Sequence, residues 1–93
     1  MYNIEYRRSA LKEIKKLDKP NRKELVAQIV SCARKPFAGK SLKGDLSGYL
    51  SHDFYFKGVS YRVIYTVEEQ TKAITIEMAG TRENIYNYLK RKF

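Results

Sequence analysis

The sequence predicts an α+β fold with the element order β-α-α-β-β-β-α, in which an α-hairpin packs on one face of an antiparallel sheet and a helix ends the chain. Apolar residues recur at helical spacing in two early segments and alternate in four others. The last three alternating segments are joined by short turns, which favours neighbouring antiparallel strands. With 93 residues, 43% of them hydrophobic, the chain is expected to form one domain over residues 1–93.

The first strand and the α-hairpin are predicted from the N-terminal part of the chain. The stretch YNIEY at residues 2–6 alternates and is rich in β-forming side chains. The apolar stripe of the first helix consists of Ala10, Leu11, Ile14 and Leu17. A second helix carries Pro20 in its first turn, where the missing N–H costs nothing, and ends before Pro36. Its apolar stripe consists of Leu25, Val26, Ile29, Val30 and Ala33.

Three strands and a final helix are predicted from the C-terminal part. The strands read YLSHDFYF, YRVIYTV and AITIEMA, and the turns KGVS and EEQTK separate them. The stretch FAGKSLKGDLSG, rich in Gly, Ser and Lys, is interpreted as the loop before these strands. Residues 83–93 are predicted to be helical, with Ile85, Tyr88 and Leu89 on the apolar side.

The charge of the chain is strongly basic, with a net charge of +9 and a pI near 9.7. One basic cluster lies on the α-hairpin and consists of Arg7, Arg8, Lys12, Lys15, Lys16, Lys19, Arg22 and Lys23. A second cluster, Lys90, Arg91 and Lys92, lies near the end of the chain. Such a surface attracts polyanions such as nucleic acid, a ribosome or an acidic protein, although it could also be a solvated basic face.

Several classes of protein are disfavoured by the composition. No run of 18 apolar residues predicts a membrane span, and the N-terminal stretch MYNIEYRR lacks the apolar centre of a signal peptide. The single cysteine, Cys32, is interpreted as a small core residue, and a cytoplasmic protein fits best. We expect no metal and no other cofactor, because His, Cys and Asp do not cluster at ligand spacing and no glycine-rich phosphate loop is present.

Strand alternation divides the candidate site residues between two faces. Asp53, Tyr55 and Lys57 share one face of the strand at residues 49–56 and its turn, whereas His52 shares the apolar face. A partly buried structural histidine is therefore the favoured interpretation of His52. A bulge in this strand would instead turn it toward the polar face, where it could serve as a base.

Arg62 lies inside the stretch SYRVIY, where a buried unpaired guanidinium would be too costly to serve as packing. It is expected either to pair with a carboxylate such as Asp53 or Glu77, or to face a groove. Arginine and lysine on an open face suit RNA cleavage, because the attack of a 2′-hydroxyl on the adjacent phosphate builds negative charge that such groups stabilise. A base and an acid would complete the reaction.

The runs SLKGDLSGY, SYRVIY and AGTRENIY, taken in this order, resemble the RelE/ParE superfamily of toxins from bacterial toxin–antitoxin systems. These runs occur in the order found in that family, and the predicted β-α-α-β-β-β-α order covers the whole of this chain. The resemblance implies one of two activities. RelE-like members are endoribonucleases (mRNA interferases) that cut mRNA in the ribosomal A site and inhibit translation, whereas ParE-like members inhibit DNA gyrase and do not cut RNA.

The resemblance also implies where the active groove lies, on the concave face of the sheet. Arg62 matches the arginine of the family's YR strand, Arg82 matches the next arginine, and Tyr86 falls at or near the family's tyrosine. Asp53 and Tyr55, with Lys57, occupy the polar face of the preceding strand. The predicted catalytic set is Arg62, Arg82, Tyr86, Lys57, Asp53, Tyr55 and His52.

This chain departs from the nuclease pattern at two places. SHDFYF stands where the nucleases carry a lysine–x–lysine pair, and Thr81 stands where many relatives carry a histidine. The general base therefore stays open among Asp53, His52 and a Lys57 of lowered pKa. The RelE-like nuclease is the favoured interpretation; a gyrase inhibitor, or a corepressor that binds DNA only with its antitoxin, are the alternatives.

The resemblance implies three partners: a cognate antitoxin, the ribosome with its mRNA, and operator DNA bound only as a toxin–antitoxin complex. We expect no membrane partner. The basic helices would bind ribosomal RNA or be covered by the antitoxin. The predicted RNA- and ribosome-binding set is Lys12, Lys15, Lys16, Lys19, Arg22, Lys23 and Lys43.

Overall fold

The computed structural model describes residues 1–92, and its element order confirms the predicted α+β fold. The helices and strands are β1 (Asn3–Tyr6), α1 (Arg8–Lys15), α2 (Lys19–Arg34), β2 (Lys40–Ser41), β3 (Leu50–Phe56), β4 (Val59–Glu68), β5 (Ala73–Thr81) and α3 (Arg82–Lys92). Pro20 stands in the first turn of α2 and Pro36 follows its end, as predicted. Within the described residues, no helix is both long and apolar enough to cross a membrane.

The strands form one sheet in the order β1-β5-β4-β3-β2. The neighbours β3, β4 and β5 are antiparallel, as the short turns predict. Two features differ from the predicted antiparallel sheet and loop. β1 pairs with β5 in parallel, which makes the sheet mixed, and Lys40–Ser41 in the predicted loop adds the short antiparallel strand β2 beside β3.

The main core lies between the sheet and the α-hairpin. Leu25 and Ile29 of α2 are fully buried against β-sheet residues such as Val63 and Ile74. The hydroxyl of buried Tyr65 donates to the carbonyl of Pro36 at 2.8 Å, so the core also fixes the chain after α2. Cys32 is buried in this core, as predicted.

The opposite face of the sheet carries α3. Along β4, Tyr61, Val63 and Tyr65 point to the main core, so the alternate residues Arg62 and Ile64 point away from it. Ile64 is fully buried all the same, because α3 packs on β4 and β5. The helix covers only part of this face, and the part around Arg62 stays open.

A register shift in β5 adjusts which side chains reach the main core. Ile64 faces Met78, whereas the next residue, Tyr65, faces Ile76, so Glu77 has no partner of its own in β4. Ala79 and Ile76 consequently both belong to the main core, although strict alternation would separate them. The Glu77 carboxylate instead accepts a hydrogen bond from Arg7 Nε at 3.1 Å.

Candidate active site

Arg62 and Asp53 lie directly opposite each other on β4 and β3 and form a bidentate ion pair. Arg62 Nε donates to Asp53 Oδ1 at 2.8 Å, and Nη2 donates to Oδ2 at 3.0 Å. The side chains are 26% and 44% exposed, so the pair stands on an open surface. Of the two carboxylates proposed for Arg62, the structure therefore selects Asp53. The ion pair is thus observed, and it stands on the face of the sheet away from the main core.

Ser51 forms a further hydrogen bond with the Asp53 carboxylate. Its hydroxyl donates to Asp53 Oδ1 at 2.9 Å, and the residue itself is only 4% exposed. Sequence reasoning did not select Ser51 as a site residue. Its position two residues before Asp53 on the same strand face was the signal that could have identified it.

The electrostatics of the site stabilise the charged forms of both partners. The hydrogen bond from Arg62 is the largest effect and lowers the pKa of Asp53. Burial opposes it as the second-largest effect, and the bond from Ser51 and the charges of Arg62 and Arg82 lower the pKa further. The hydrogen bond to Asp53 correspondingly raises the pKa of Arg62. While Arg62 is bound, Asp53 is therefore a carboxylate of unusually low basicity.

Arg82 is the first residue of α3 and its charge acts on Asp53, and Tyr86 lies one turn further along the helix. Thr81 caps the N-terminus of α3, because its Oγ1 accepts a hydrogen bond from the Asn84 N–H at 3.2 Å. Arg82 and Tyr86 are four residues apart and so share one side of α3. Tyr86 is 60% exposed, and Lys90 Nζ lies 5.0 Å from the centre of its ring.

Gly80 has no side chain and leaves open space beside Arg62. It faces Arg62 across the β4–β5 pairing, and a Cβ added there would have no atom within 4 Å. Its φ of +153° is a backbone conformation that other residues rarely adopt. Sequence reasoning missed this residue too, although an isolated glycine inside a strand often marks a close approach of another group.

Tyr55 and Lys57 stand at the β3–β4 hairpin. Tyr55 lies on the same strand face as Asp53 and is 71% exposed. Lys57 does not belong to that face, because β3 ends at Phe56 and Lys57 with Gly58 forms the two-residue turn. Both turn residues have positive φ, and the Lys57 ammonium lies 5.3 Å from the centre of the Phe56 ring.

His52 is not brought into this site. Its parity is as predicted, and the unbroken register of β3 with β4 leaves no bulge that would reverse it. His52 Nε2 lies 2.7 Å from Gln28 Oε1 of α2, and Gln28 Nε2 donates to Glu24 at 2.8 Å. The histidine therefore joins β3 to α2 on the face opposite Asp53.

The basic residues of the α-hairpin lie on a different surface from the Arg62–Asp53 pair. Most of the predicted RNA-binding residues are exposed, and Arg22 is half-buried. A cleft of about 430 Å³ runs between α1 and α3, and Lys12, Lys16 and Arg91 contribute to its walls. Lys16 also donates to Glu13 at 2.9 Å. Lys43 stands apart from them, exposed in the loop between β2 and β3.

Two further kinds of chemistry find no support in the described part of the chain. Burial raises the pKa of the Cys32 thiol to about 11, so this cysteine is unsuited to act as a nucleophile. Among residues 1–92, no three His, Cys, Asp or Glu side chains are grouped so that they could hold a metal ion.

Comparison with known proteins identifies a family and a fold that this chain resembles. A family model described as a ParE-like toxin of type II bacterial toxin–antitoxin systems matches residues 4–90. The fold is similar to that of the isolated Escherichia coli RelE toxin, with 22% identity, a TM-score of 0.70 and 100% of each chain covered. A comparison with curated protein sequences gave no match.

Two toxin–antitoxin complexes contain a chain of the same fold. In the intact RelBE complex of E. coli, the matching chain is 21% identical with a TM-score of 0.71, covering 86% of this chain and 95% of that one. In the RelBE2 complex of Mycobacterium tuberculosis, the matching chain is 23% identical with a TM-score of 0.73. The match covers 87% of this chain and 98% of that one.

The Arg62–Asp53 pair predicts a pH-dependent contribution to stability. Because the folded-state pKa of Asp53 is lowered, the contribution is full above the ordinary carboxyl pKa of about 3.9 and is lost as the pH falls through the lower folded value. Asp53→Asn should lower the free energy of unfolding at pH 7 by no more than about 1 kcal/mol, since the pair is partly exposed. Urea denaturation at pH 7 and near pH 3 measures the difference.

The matched control is Asp45→Asn, which changes an exposed aspartate in the loop between β2 and β3. It should leave the pH dependence unchanged. If the difference between wild type and Asp53→Asn were the same at both pH values, the carboxylate charge would not be its source.

Proposed function

The chain belongs to the ParE-like toxins of type II bacterial toxin–antitoxin systems, within the RelE/ParE superfamily, and from this premise we propose that it is a RelE-type endoribonuclease that cleaves mRNA on the ribosome. The observation that carries the proposal is the placement of Arg62, whose guanidinium stands on an open sheet face and is paired with Asp53, a carboxylate on which the charge of Arg82 also acts. This arrangement suits a phosphate group that gains charge during reaction.

The proposed reaction starts with an exchange of partners at Arg62. The planar guanidinium that binds the two oxygens of Asp53 binds two oxygens of a phosphate in the same way. When Arg62 turns to the phosphate, Asp53 loses the hydrogen bond that holds its pKa down. Its basicity rises at the moment when the substrate is in place.

The released Asp53 then accepts the proton of the 2′-hydroxyl. The 2′-oxygen attacks phosphorus, the bond to the 5′-oxygen breaks, and the products carry a 2′,3′-cyclic phosphate and a 5′-hydroxyl. Arg62 and Arg82 stabilise the charge on the phosphate oxygens, and the exposed Tyr86 donates its hydroxyl proton to the leaving 5′-oxygen. After release, Tyr86 regains a proton from water and Asp53 loses its proton to water. The nucleophile comes from the RNA, and the reaction requires no metal or other cofactor.

The proposed partners follow from the charge of the surface and from the related complexes. The basic residues of α1 and α2 bind ribosomal RNA, which places the toxin in the cytoplasm beside translated mRNA. A cognate antitoxin binds this chain, as RelB binds RelE in the E. coli complex, and operator DNA is bound only by the toxin–antitoxin complex.

A second candidate function is inhibition of DNA gyrase without RNA cleavage, which is favoured by the ParE-like description of the matching family model. The two candidates differ in what a growing cell would show on induction of the toxin. The nuclease breaks messages inside translated reading frames, whereas the gyrase inhibitor leaves messages intact and damages DNA.

Arg62→Ala should abolish toxicity and reduce RNA cleavage by at least about 100-fold, because a preorganised charge at the phosphate is lost. The measurement is a transcriptome-wide map of RNA 5′ ends after brief induction. New ends in fixed register with codons should appear with the wild type and be absent with the variant. Arg34→Ala, which removes an exposed arginine at the end of α2, is the matched control and should cleave normally.

The Arg62→Ala variant should still unfold cooperatively, because the pair that it breaks is partly exposed. Loss of cooperative unfolding would assign Arg62 a structural role instead. Intact messages in arrested wild-type cells would contradict the nuclease proposal and direct the work to a gyrase cleavage assay.

Asp53→Asn should slow single-turnover cleavage by about 100-fold or more while leaving RNA binding equal or tighter, because the variant loses the base but frees the guanidinium of Arg62. The assay uses ribosomes programmed with a defined message. It measures separately the cleavage rate at saturation and the toxin concentration that gives half of that rate. Asp45→Asn is the control. Normal cleavage by Asp53→Asn would exclude this carboxylate as the base.

Reversal of Lys12, Lys15 and Lys16 to Glu should weaken ribosome binding and flatten its salt dependence, because each lost phosphate contact removes nearly one unit from the slope of log K against log salt. Co-sedimentation across a salt series provides the measurement. Reversal of Arg34, Lys35 and Lys40 changes the net charge equally on another exposed surface. Equal losses in both triple variants would argue against a specific basic face.

A further inference from the structure

We propose that Tyr55 forms a nucleobase-stacking subsite beside Arg62, on which one base of single-stranded RNA lies flat while its neighbouring phosphate is bound by the guanidinium. The inference rests on the proposed function and adds a feature of substrate binding to it. It assigns Tyr55 to substrate binding, where sequence reasoning grouped it with the catalytic residues.

The exposure of the Tyr55 ring is unusual for this chain. At 71%, Tyr55 is more exposed than any other large hydrophobic side chain of the described residues except Met1. The neighbouring aromatic rings of the hairpin contact other side chains. Phe54 stacks on Tyr61 with ring centres 5.1 Å apart, and Phe56 is covered by the Lys57 ammonium. Tyr55 leaves a large aromatic surface in water on the same sheet face as the proposed reaction.

The neighbours of Tyr55 keep its ring uncovered. Ser60 faces it across the hairpin, and a serine is too small to cover an aromatic ring. Gly58 contributes no side chain, and a Cβ added there would come to 4.0 Å from the Tyr55 hydroxyl. The residues around the ring therefore have small side chains or none, and they leave it open to solvent.

The hairpin turn fixes the side of the sheet on which Tyr55 stands. Lys57 and Gly58 have φ values of +50° and +79°, and a two-residue turn with positive φ at both positions sets the register of its strands. A shift of one residue would turn Tyr55 to the other face. In the observed register, Tyr55 and Asp53 share a face, and Asp53 is paired with Arg62.

The spacing suits adjacent parts of one nucleotide chain. Tyr55 lies two residues from Asp53 along β3, which is about 7 Å, and Arg62 is directly across from Asp53. A phosphate bound by Arg62 and a base stacked on Tyr55 are then close enough to belong to neighbouring nucleotides. A positive groove interleaved with aromatic rings is how proteins hold single strands without requiring one sequence.

The test uses ribosomes programmed with a message whose A-site codon is 2′-O-methylated and carries 2-aminopurine in one position at a time. The wild type should bind and quench the fluorescence at one position, because the base stacks on the ring. Tyr55→Ala should remove that quenching and weaken binding about 10-fold. Tyr55→Phe, which keeps the ring and loses the hydroxyl, should restore most of the binding and the quenching.

Phe37→Ala is the matched control. It removes an aromatic side chain that is 58% exposed and lies in the short turn after α2, and its binding and quenching should equal those of the wild type. Binding and quenching by Tyr55→Ala at the wild-type level would overturn the subsite. So would a Tyr55→Phe variant as defective as Tyr55→Ala, since the hydroxyl rather than the ring would then be required.

The subsite and the nuclease proposal fail separately. Cleavage of an unmodified message by Tyr55→Ala at the wild-type rate and half-saturation would overturn the subsite and leave the nuclease standing. Quenching that depends on the Tyr55 ring, with no cleavage of an unmodified message by the wild type, would support the subsite and overturn the nuclease. A wild type that binds no programmed ribosome would overturn both.

Discussion

The open face of this protein is organised around the ion pair between Arg62 and Asp53, which lie on adjacent strands. The pair requires the register that the Lys57–Gly58 turn sets, because a shift of one residue would place Asp53 on the face that packs against the α-hairpin. It also requires β4 to serve two purposes. Tyr61, Val63 and Tyr65 build the main core on one face, while Arg62 between them stays at the surface of the other. Core packing and site geometry therefore depend on the same alternation.

The sequence was sufficient for the parts of the fold that depend on local periodicity. The helices, the three long strands and the parity of His52 follow from spacing and from Pro20 and Pro36, because these features act within a few residues. The parallel position of β1 and the short strand at Lys40–Ser41 do not follow from it. Both depend on pairing with strands distant in the chain, and a two-residue strand has no period to detect.

The site was predictable residue by residue, but its connections were not. Alternation and family resemblance place Asp53, Tyr55 and Arg62 on one face, yet Asp53 and Glu77 were equal candidates for the partner of Arg62. The pairing of the strands decides between them, since Asp53 lies directly across from Arg62, whereas the Glu77 carboxylate binds Arg7. Ser51 and Gly80 acquire their importance only from the atoms, or the empty space, that the folded chain brings beside them.

The parallel pairing of β1 with β5 limits when the fold can be completed during synthesis. Asn3 to Tyr6 find their partners only at Ala73 to Ile76, so the edge of the sheet stays open until most of the chain has been translated. Contacts between residues so far apart in sequence also form slowly. The β3–β4 hairpin, by contrast, assembles from neighbouring residues. For a toxin, this late closure separates its own synthesis from its activity in time.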